Sequence, residues 1–159
     1  MRNGRTPDSR VLHYALRFTH YATMRSLAVI VSGGSTNNLI QVLTLLMAAV
    51  HSDVKVRVFF RDEAVKRLTP EAINRYEPSP AYAADPDVPR RLAKLDLTDL
   101  HKLAREIKAS GDVRYYACSS SLAIWGLKKE QLVEEVDEAR GLPAFLLEDV
   151  AAADKVLTF

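Results

Sequence analysis

The chain has 159 residues, of which 48% are hydrophobic and 26% are charged, as expected for a soluble globular protein that forms its own core. Its 22 basic residues barely outnumber its 20 acidic ones and are scattered along the chain, which excludes a basic surface for nucleic acid. No apolar run approaches the roughly 20 residues that cross a bilayer. Because the single cysteine cannot form an intrachain disulfide and no apolar secretory segment is evident, we expect a cytoplasmic protein.

The first 24 residues are expected to form a basic, amphipathic helical extension. From residue 9 to residue 22, one helical stripe is apolar and another is basic. Two interpretations are open: a presequence or membrane-surface anchor, or a helix that packs on the domain or on a partner subunit. The apolar stripe consists of Val11, Ala15, Phe18 and Ala22, and the basic stripe of Arg10, His13, Arg17 and His20.

The domain proper covers residues 25–159 and begins with the apolar run "LAVIV", typical of a buried strand. The turn "SGGSTNN" follows, and residues 36–50 carry apolar side chains at helical spacing, with Ser35 or Thr36 as N-cap. "VKVRVFF", residues 54–60, predicts a second strand, and residues 61–68 a short helix.

Five of the seven prolines lie in the insertion at residues 70–90. Proline lacks an N–H donor and has a fixed φ, so regular elements are expected to be interrupted there. Such a segment serves as a lid, as a subunit contact or as a disordered insertion, and the sequence does not distinguish these roles.

A helical stripe at residues 97–107 ends at "SGD", where Gly111 is predicted to take the left-handed C-terminal position. "VRYYAC", residues 113–118, predicts a third strand. Helical turns follow at 119–125 and 128–134, then a very short strand near Val136, a helix that begins at Pro143, and a last strand, "KVLTF". Alternating strands and helices predict an α/β fold: a three-layer α/β/α sandwich around a mostly parallel sheet of about five strands.

Cys118 stands where the third strand ends and a helix begins, at the edge of a parallel sheet that commonly binds ligands. Backbone amides at a helix N-terminus stabilise a thiolate, and hydroxyls add donors to an anionic sulfur. We therefore predict a catalytic thiol with three helping serines, Ser119, Ser120 and Ser121. The alternative is a small buried apolar residue, because free cysteine is commonly buried.

The turn after the first strand is expected to reach the same edge of the sheet. Its glycines permit close approach of the backbone, so the turn and the following helix N-terminus form a candidate anion or ligand site. The turn lacks the P-loop and GxGxxG patterns, and a plain tight turn is the alternative. The candidate residues are Ser32, Gly33, Gly34, Ser35 and Thr36.

The four histidines form no cluster with metal-ligand spacing, so neither a metal site nor a cofactor is predicted. Tyr115 and Trp125 are interpreted as core or interface residues rather than as stacking platforms for a ligand.

Four stretches together resemble the DsrE/DsrF-like family of small sulfur-relay proteins: "RSLAVIVSGGS", "VKVRVFF", "VRYYACSSSLAIWGLKKEQL" and "ADKVLTF". The resemblance covers roughly residues 25–159. It implies an α/β/α sandwich, a cytoplasmic location, homo- or hetero-oligomers, and a role for Cys118 as the cysteine that carries sulfur as a persulfide. Ser120 and Ser121 stand where some members have sulfur-containing side chains, so a more polar pocket is expected here.

Three functions are therefore considered. The first is a sulfur carrier, similar to a sulfurtransferase, that holds sulfane sulfur on Cys118 and passes it to a partner thiol. With no second cysteine in the chain, donor and acceptor must be other proteins or small thiols, and a homo-oligomer, dimer or trimer, is expected. The second is a non-catalytic oligomeric module that binds a small anion or nucleotide. The third is a redox sensor that forms a sulfenic acid on Cys118.

Overall fold

The computed structural model describes residues 24–159. The predicted N-terminal helix lies outside the described residues. Five strands, all parallel, form one sheet in the order β4-β3-β2-β1-β5. The strands are β1 (Ser26–Val31), β2 (Lys55–Phe60), β3 (Val113–Cys118), β4 (Val136–Arg140) and β5 (Lys155–Thr158).

In the described part of the chain, seven α-helices join the strands: α1 (Thr36–Val50), α2 (Asp62–Arg67), α3 (Pro80–Ala83), α4 (Val88–Lys94), α5 (Leu100–Ser110), α6 (Ser119–Trp125) and α7 (Leu142–Ala144). α7 continues as a π-helical segment, Phe145–Val150, and a 3-10 turn, Lys129–Gln131, stands where a longer helix was predicted. The predicted α/β sandwich is confirmed.

The two faces of the sheet are named here by neighbouring residues of β2. The Phe60 face includes Tyr115, whose ring packs edge-on to Phe60, and the Tyr115 hydroxyl donates to the Ala104 carbonyl of α5. The Phe59 face includes Tyr116, and here Phe145 stacks on Phe59 with ring centroids 4.8 Å apart.

The strand order explains this division. From β1 to β4 every crossover advances in the same direction, so right-handed connections place the intervening helices on one face. The connection from β4 to β5 runs back past three strands, and its helical segment, residues 142–150, therefore covers the Phe59 face.

The insertion at 70–90 contains only short helical pieces between turns, and α3 and α4 each have a proline in the first turn, where no N–H donor is needed. One expectation about local structure is wrong. Gly111 is extended, with φ of −170°, rather than left-handed. Glycine is needed here for close packing of the backbone against α1, because a Cβ on residue 111 would lie only 3.0 Å from the Cβ of Val50.

Candidate functional site

Cys118 is the last residue of β3 and the N-cap of α6, with extended backbone angles of φ −62° and ψ 119°. β3 is buried at five of its six positions, and α6 is anchored by the buried Leu122. The strand-to-helix junction predicted from the sequence is therefore present. The Cys118 side chain makes no capping hydrogen bond, and 7% of the residue is exposed. Cys118 is thus a buried residue that belongs to the hydrophobic core, as in the alternative interpretation, and it stands at the start of a helix.

Arginines occupy both positions beside Cys118 on the neighbouring strands. Cys118 is in register with Arg140 of β4, and the pairing of Phe60 with Ala117 puts Arg61 at the next position on the β2 side. Arg61 remains extended, with φ of −139° and ψ of 174°. By strand alternation these residues belong to the Phe59 face. The sequence analysis did not identify this row of Arg61, Cys118 and Arg140, although Arg140 ends β4 and Arg61 directly follows β2.

Arg140 is held by a network of aromatic and acidic groups. Its guanidinium lies 4.7 Å from the ring centroid of Tyr116 and pairs with Glu138 at 2.8 Å and with Glu148. Burial lowers the pKa of Arg140, but attraction by Asp149 and the hydrogen bond to Glu138 outweigh that effect and raise it overall. Arg140 therefore keeps its positive charge beside the Cys118 position.

Arg61 is held more loosely. Its Nε donates to the Asp62 carboxylate at 2.9 Å, and both side chains are well exposed. This cation can therefore turn toward an anion at the edge of the sheet, whereas Arg140 is fixed in place.

Asp62 is clamped by two residues of α6. Its backbone N–H donates to the Ser121 hydroxyl at 2.8 Å, and its carbonyl accepts from Nε1 of Trp125 at 2.9 Å. Asp62 has φ of +48°, a conformation that non-glycine residues rarely adopt. The clamp therefore locks the turn after β2 against the helix that follows the thiol.

The three serines after Cys118 have different positions. Ser119 and Ser120 are exposed in the first turn of α6, whereas Ser121 is only 3% exposed. Its hydroxyl accepts the Asp62 N–H bond, so it links two loops and faces away from solvent.

The "SGGST" turn reaches the same edge of the sheet, but the chain itself occupies much of its hydrogen-bonding capacity. The Thr36 N–H donates to the Glu77 carbonyl at 2.7 Å, and the Ser32 N–H to the Phe159 carbonyl at 2.7 Å. The Gly34 N–H points at the Glu63 carboxylate, 3.4 Å away. Two acidic residues, Glu63 and Glu77, thus stand where an anion was expected.

The two glycines of this turn are needed for space rather than for positive φ. A Cβ on Gly34 would lie 2.9 Å from the Cβ of Glu63, and one on Gly33 would lie 2.9 Å from the Asn38 side-chain nitrogen. Among the described glycines only Gly126, at the end of α6, has positive φ.

The proline-rich insertion packs over the N-terminus of α1. The Glu77 N–H donates to the Thr36 hydroxyl at 2.7 Å, and the Ser79 N–H donates to Asn37 Oδ1 at 2.9 Å. The insertion thus caps the first helix.

Arg67 ties this insertion to α2. Its side chain is 2% exposed and donates to backbone carbonyls only, while Glu77 lies 3.7 Å away. Burial lowers the pKa of Arg67, and Glu77 opposes that effect. The accepting carbonyls belong to Gly34, Ala72, Ile73 and Arg75.

Two adjoining cavities, of about 350 Å³ and 540 Å³, lie beside Trp125 and Lys66, which line both. The Lys66 ammonium lies 4.9 Å from the Trp125 ring centroid. The smaller cavity reaches Gly34 and Ser35 of the "SGGST" turn, but Cys118 lines neither cavity. Tertiary structure therefore brings the two candidate loops to one edge of the sheet without joining them in one pocket. Trp125, expected in the core or at an interface, is 40% exposed and lines both cavities, so it is not a core residue.

Within residues 24–159, no group of three or more His, Cys, Asp or Glu side chains is arranged to hold a metal ion. The same part of the chain contains no helix with the length and apolar character of a membrane span.

Comparison with known proteins gives a family and a fold. A family model described as "DsrE/DsrF-like family" matches residues 25–159. No curated protein matches the chain. Among solved structures, a protein of unknown function from Methanobacterium thermoautotrophicum is similar, with a TM-score of 0.50 and 20% sequence identity, over 84% of this chain and 98% of that one. At that identity the likeness shows the fold alone.

Proposed function

Because the chain belongs to the DsrE/DsrF-like family, which is generally related to sulfur relay, we propose that it carries sulfane sulfur as a persulfide on Cys118. One structural observation supports this proposal most directly: Cys118 begins a helix at the carboxyl edge of the sheet and is in register with Arg140 of β4, while Arg61 directly follows the paired residues of β2. In the proposed carrier, amides of the first helical turn and the neighbouring arginines stabilise the sulfur anion, although Arg61 and Arg140 are also ion-paired with carboxylates.

The proposed transfer has two steps. In the first, the Cys118 thiolate attacks the outer sulfur of a donor persulfide, so that a new S–S bond forms on Cys118 while the S–S bond of the donor breaks. The donor leaves as a thiolate and takes a proton from water. In the second, an acceptor thiolate attacks the outer sulfur on Cys118 and restores the Cys118 thiolate. No net oxidation occurs, because the sulfane sulfur only changes its carrier.

Partners follow from the same chemistry. No second cysteine is present to take up the sulfur within the chain, so donor and acceptor are other proteins or small thiols. The narrow exposure of Cys118 favours a donor whose sulfur is at the end of a slender group. We also propose a homo-oligomer, dimer or trimer, and a reducing cytoplasmic location, where thiols persist.

Intact-mass spectrometry tests the carrier. The wild type is incubated with polysulfide and then with glutathione as the acceptor. We expect a gain of one sulfur atom's mass, loss of that mass with glutathione, and no gain for Cys118→Ser. Ser52→Ala, an exposed serine outside the candidate site, is the control and should behave like the wild type. An unmodified wild-type thiol, despite full labelling of the unfolded chain, overturns the proposal.

The second candidate is a non-catalytic module that binds a small ligand at the sheet edge, and the cavity of about 350 Å³ beside Gly34, Ser35 and Trp125 favours it. The charged lining residues of this cavity are mixed, with Glu63 and Glu77 beside Lys66 and Arg67. Trp125 fluorescence titrated with adenosine nucleotides checks this candidate, and saturable quenching together with an inert Cys118 would support it. Peroxide treatment followed by mass spectrometry checks the redox sensor, which predicts a disulfide-linked dimer through Cys118.

A further inference from the structure

Cys118 is buried, with 7% of the residue exposed, so the elements around it decide which sulfur donors make contact. Two helical elements adjoin it. α6 begins directly after Cys118, and the helical segment at 142–150 follows β4, whose last residue, Arg140, is in register with Cys118. A donor wider than a slender group therefore reaches the thiol only when one of these elements moves.

The helical segment at 142–150 is held less firmly than α6. The Asp62 clamp and the buried Leu122 hold α6 in place. Of the described residues 142–150, Phe145 alone is buried, whereas the two residues after it are 43% and 78% exposed. Six residues of the segment form π-helical turns, a rare conformation found mostly at functional sites. An element with so few buried contacts is the one that opens more easily.

This segment is anchored to two residues that border Cys118. Phe145 packs edge-on to Tyr116, which precedes Cys118 by two positions on β3 and shares its face of the sheet. Glu148 pairs with Arg140, the residue in register with Cys118 on β4. The segment thus contacts the Phe59 face directly beside the thiol.

Asp149 adds a contact between two arginines. Its carboxylate lies 3.5 Å from Nε of Arg140 and 3.9 Å from Nε of Arg57 on β2. In the described part of the chain, neither Asp149 Oδ2 nor Arg140 Nε has a hydrogen-bond partner, although both atoms are buried. Unpaired buried polar atoms cost stability, so this contact holds the segment only weakly.

We propose that the helical segment at 142–150 sets the size of the groups that reach Cys118, with the ion pairs from Arg140 to Glu148 and Asp149 as its latch. In the closed arrangement a slender group, such as the end of a polysulfide, reaches the sulfur. When the latch opens, the segment lifts from the Phe59 face and a bulkier thiol partner gains access. This inference rests on the proposed function, because it concerns access to the same thiol.

Two alkylating reagents with the same reactive group test the latch in the full chain: iodoacetamide, which is slender, and pyrene iodoacetamide, which is bulky and uncharged. The ratio of the bulky to the slender rate reports access, because a change in the thiolate fraction alters both rates equally. Glu148→Gln removes a carboxylate of the latch, and the ratio is expected to rise about twofold to fivefold, as the loss of an exposed ion pair allows.

Glu138→Gln is the matched control. Glu138 also pairs with Arg140, and its side chain is 51% exposed against 66% for Glu148, but it belongs to β4 and does not hold the segment. The rate ratio in this variant should stay at the wild-type value. An equal rise in both variants, or no rise in either, would overturn the inference.

Hydrogen exchange distinguishes local opening from a general loosening of the fold. In Glu148→Gln we expect faster exchange at residues 145–150 and unchanged exchange in α1, and equally faster exchange in α1 would overturn the inference. Sulfur loading from polysulfide is measured on the same variants, so the two proposals fail separately. A carrier without a latch gains sulfur with an unchanged rate ratio, and a latch without a carrier changes the ratio with no gain in mass.

Discussion

Cys118 and Arg140 are in-register neighbours at the carboxyl ends of β3 and β4. Neither residue type in isolation marks a site, since a cysteine is often a core residue and an arginine is often a surface residue. Adjacent strands bring them together on one face, and Arg61 completes the row from the other side. Both arginines are ion-paired with carboxylates, so their effect on the thiol is a hypothesis that substitution tests.

Arg140→Gln is expected to slow alkylation of Cys118 by iodoacetamide at pH 7 about threefold to tenfold, since a cation several Å from a thiolate contributes on the order of 1 kcal/mol. Arg61→Gln should have a smaller effect, because this side chain is more exposed. Arg90→Gln, on the exposed helix α4, is the matched control. Equal rates in all three variants and the wild type would show that the arginines do not act on the thiol.

The Asp62 clamp should contribute to stability. Ser121→Ala leaves the Asp62 N–H without its partner and is expected to cost about 1–2 kcal/mol of unfolding free energy. Ser119→Ala, two residues earlier and exposed, should change the stability by less than about 0.5 kcal/mol. Urea denaturation of both variants measures the difference, and equal midpoints would contradict the role of the clamp.

Arg67 of α2 is expected to be the residue on which the insertion depends most. Arg67→Leu removes the donors to four backbone carbonyls and should cost about 3 kcal/mol or more. Arg75→Leu removes an exposed ion pair with Glu77 and should cost less than about 1 kcal/mol. Thermal denaturation followed by circular dichroism compares the two, and a larger loss in Arg75→Leu would be incompatible with this assignment.

Asp137 should make folding sensitive to acid. Burial opposes its ionisation, but hydrogen bonds from Lys108, from the Tyr115 N–H and from Arg114 outweigh burial and hold the pKa of Asp137 below its ordinary value. A depressed folded-state pKa stabilises the fold above the unfolded-state pKa of about 3.9, and that stability is lost as the pH falls through the lower folded value.

The unfolding free energies of the wild type and Asp137→Asn, measured between pH 3 and pH 7, check this prediction. The difference between them should be largest at neutral pH and should shrink below about pH 4. Lys108→Gln should show a weaker form of the same change, since it removes one of three donors. A difference that stays constant over the whole range would contradict the proposed role of the Asp137 charge.

The amino-acid sequence by itself determined the order of the five strands, the positions of α1 and α5, and the junction at Cys118. Those features depend on local patterns: apolar runs of strand length in β1, β2 and β3, helical spacing in α1 and α5, and an N-cap serine at Ser35. The prediction for Gly111 failed: its backbone is extended rather than left-handed, and a Cβ there would lie 3.0 Å from the Cβ of Val50, a contact that local sequence does not reveal. The course of the 70–90 insertion, which the sequence left open, also depends on contact, because Arg67 and the N-terminus of α1 bind its backbone.

Only the tertiary structure decided what surrounds the thiol. Register between strands is set by packing across long stretches of chain, so the row of Arg61, Cys118 and Arg140 joins residues that are 57 and 22 positions apart and leaves no local trace in the sequence. The same holds for the acidic groups at the "SGGST" turn, which come from α2 and from the insertion. The local spacing of apolar residues specifies where helices and strands form. The order of the strands in the sheet, set by the direction of the crossovers, specifies which side chains come into contact.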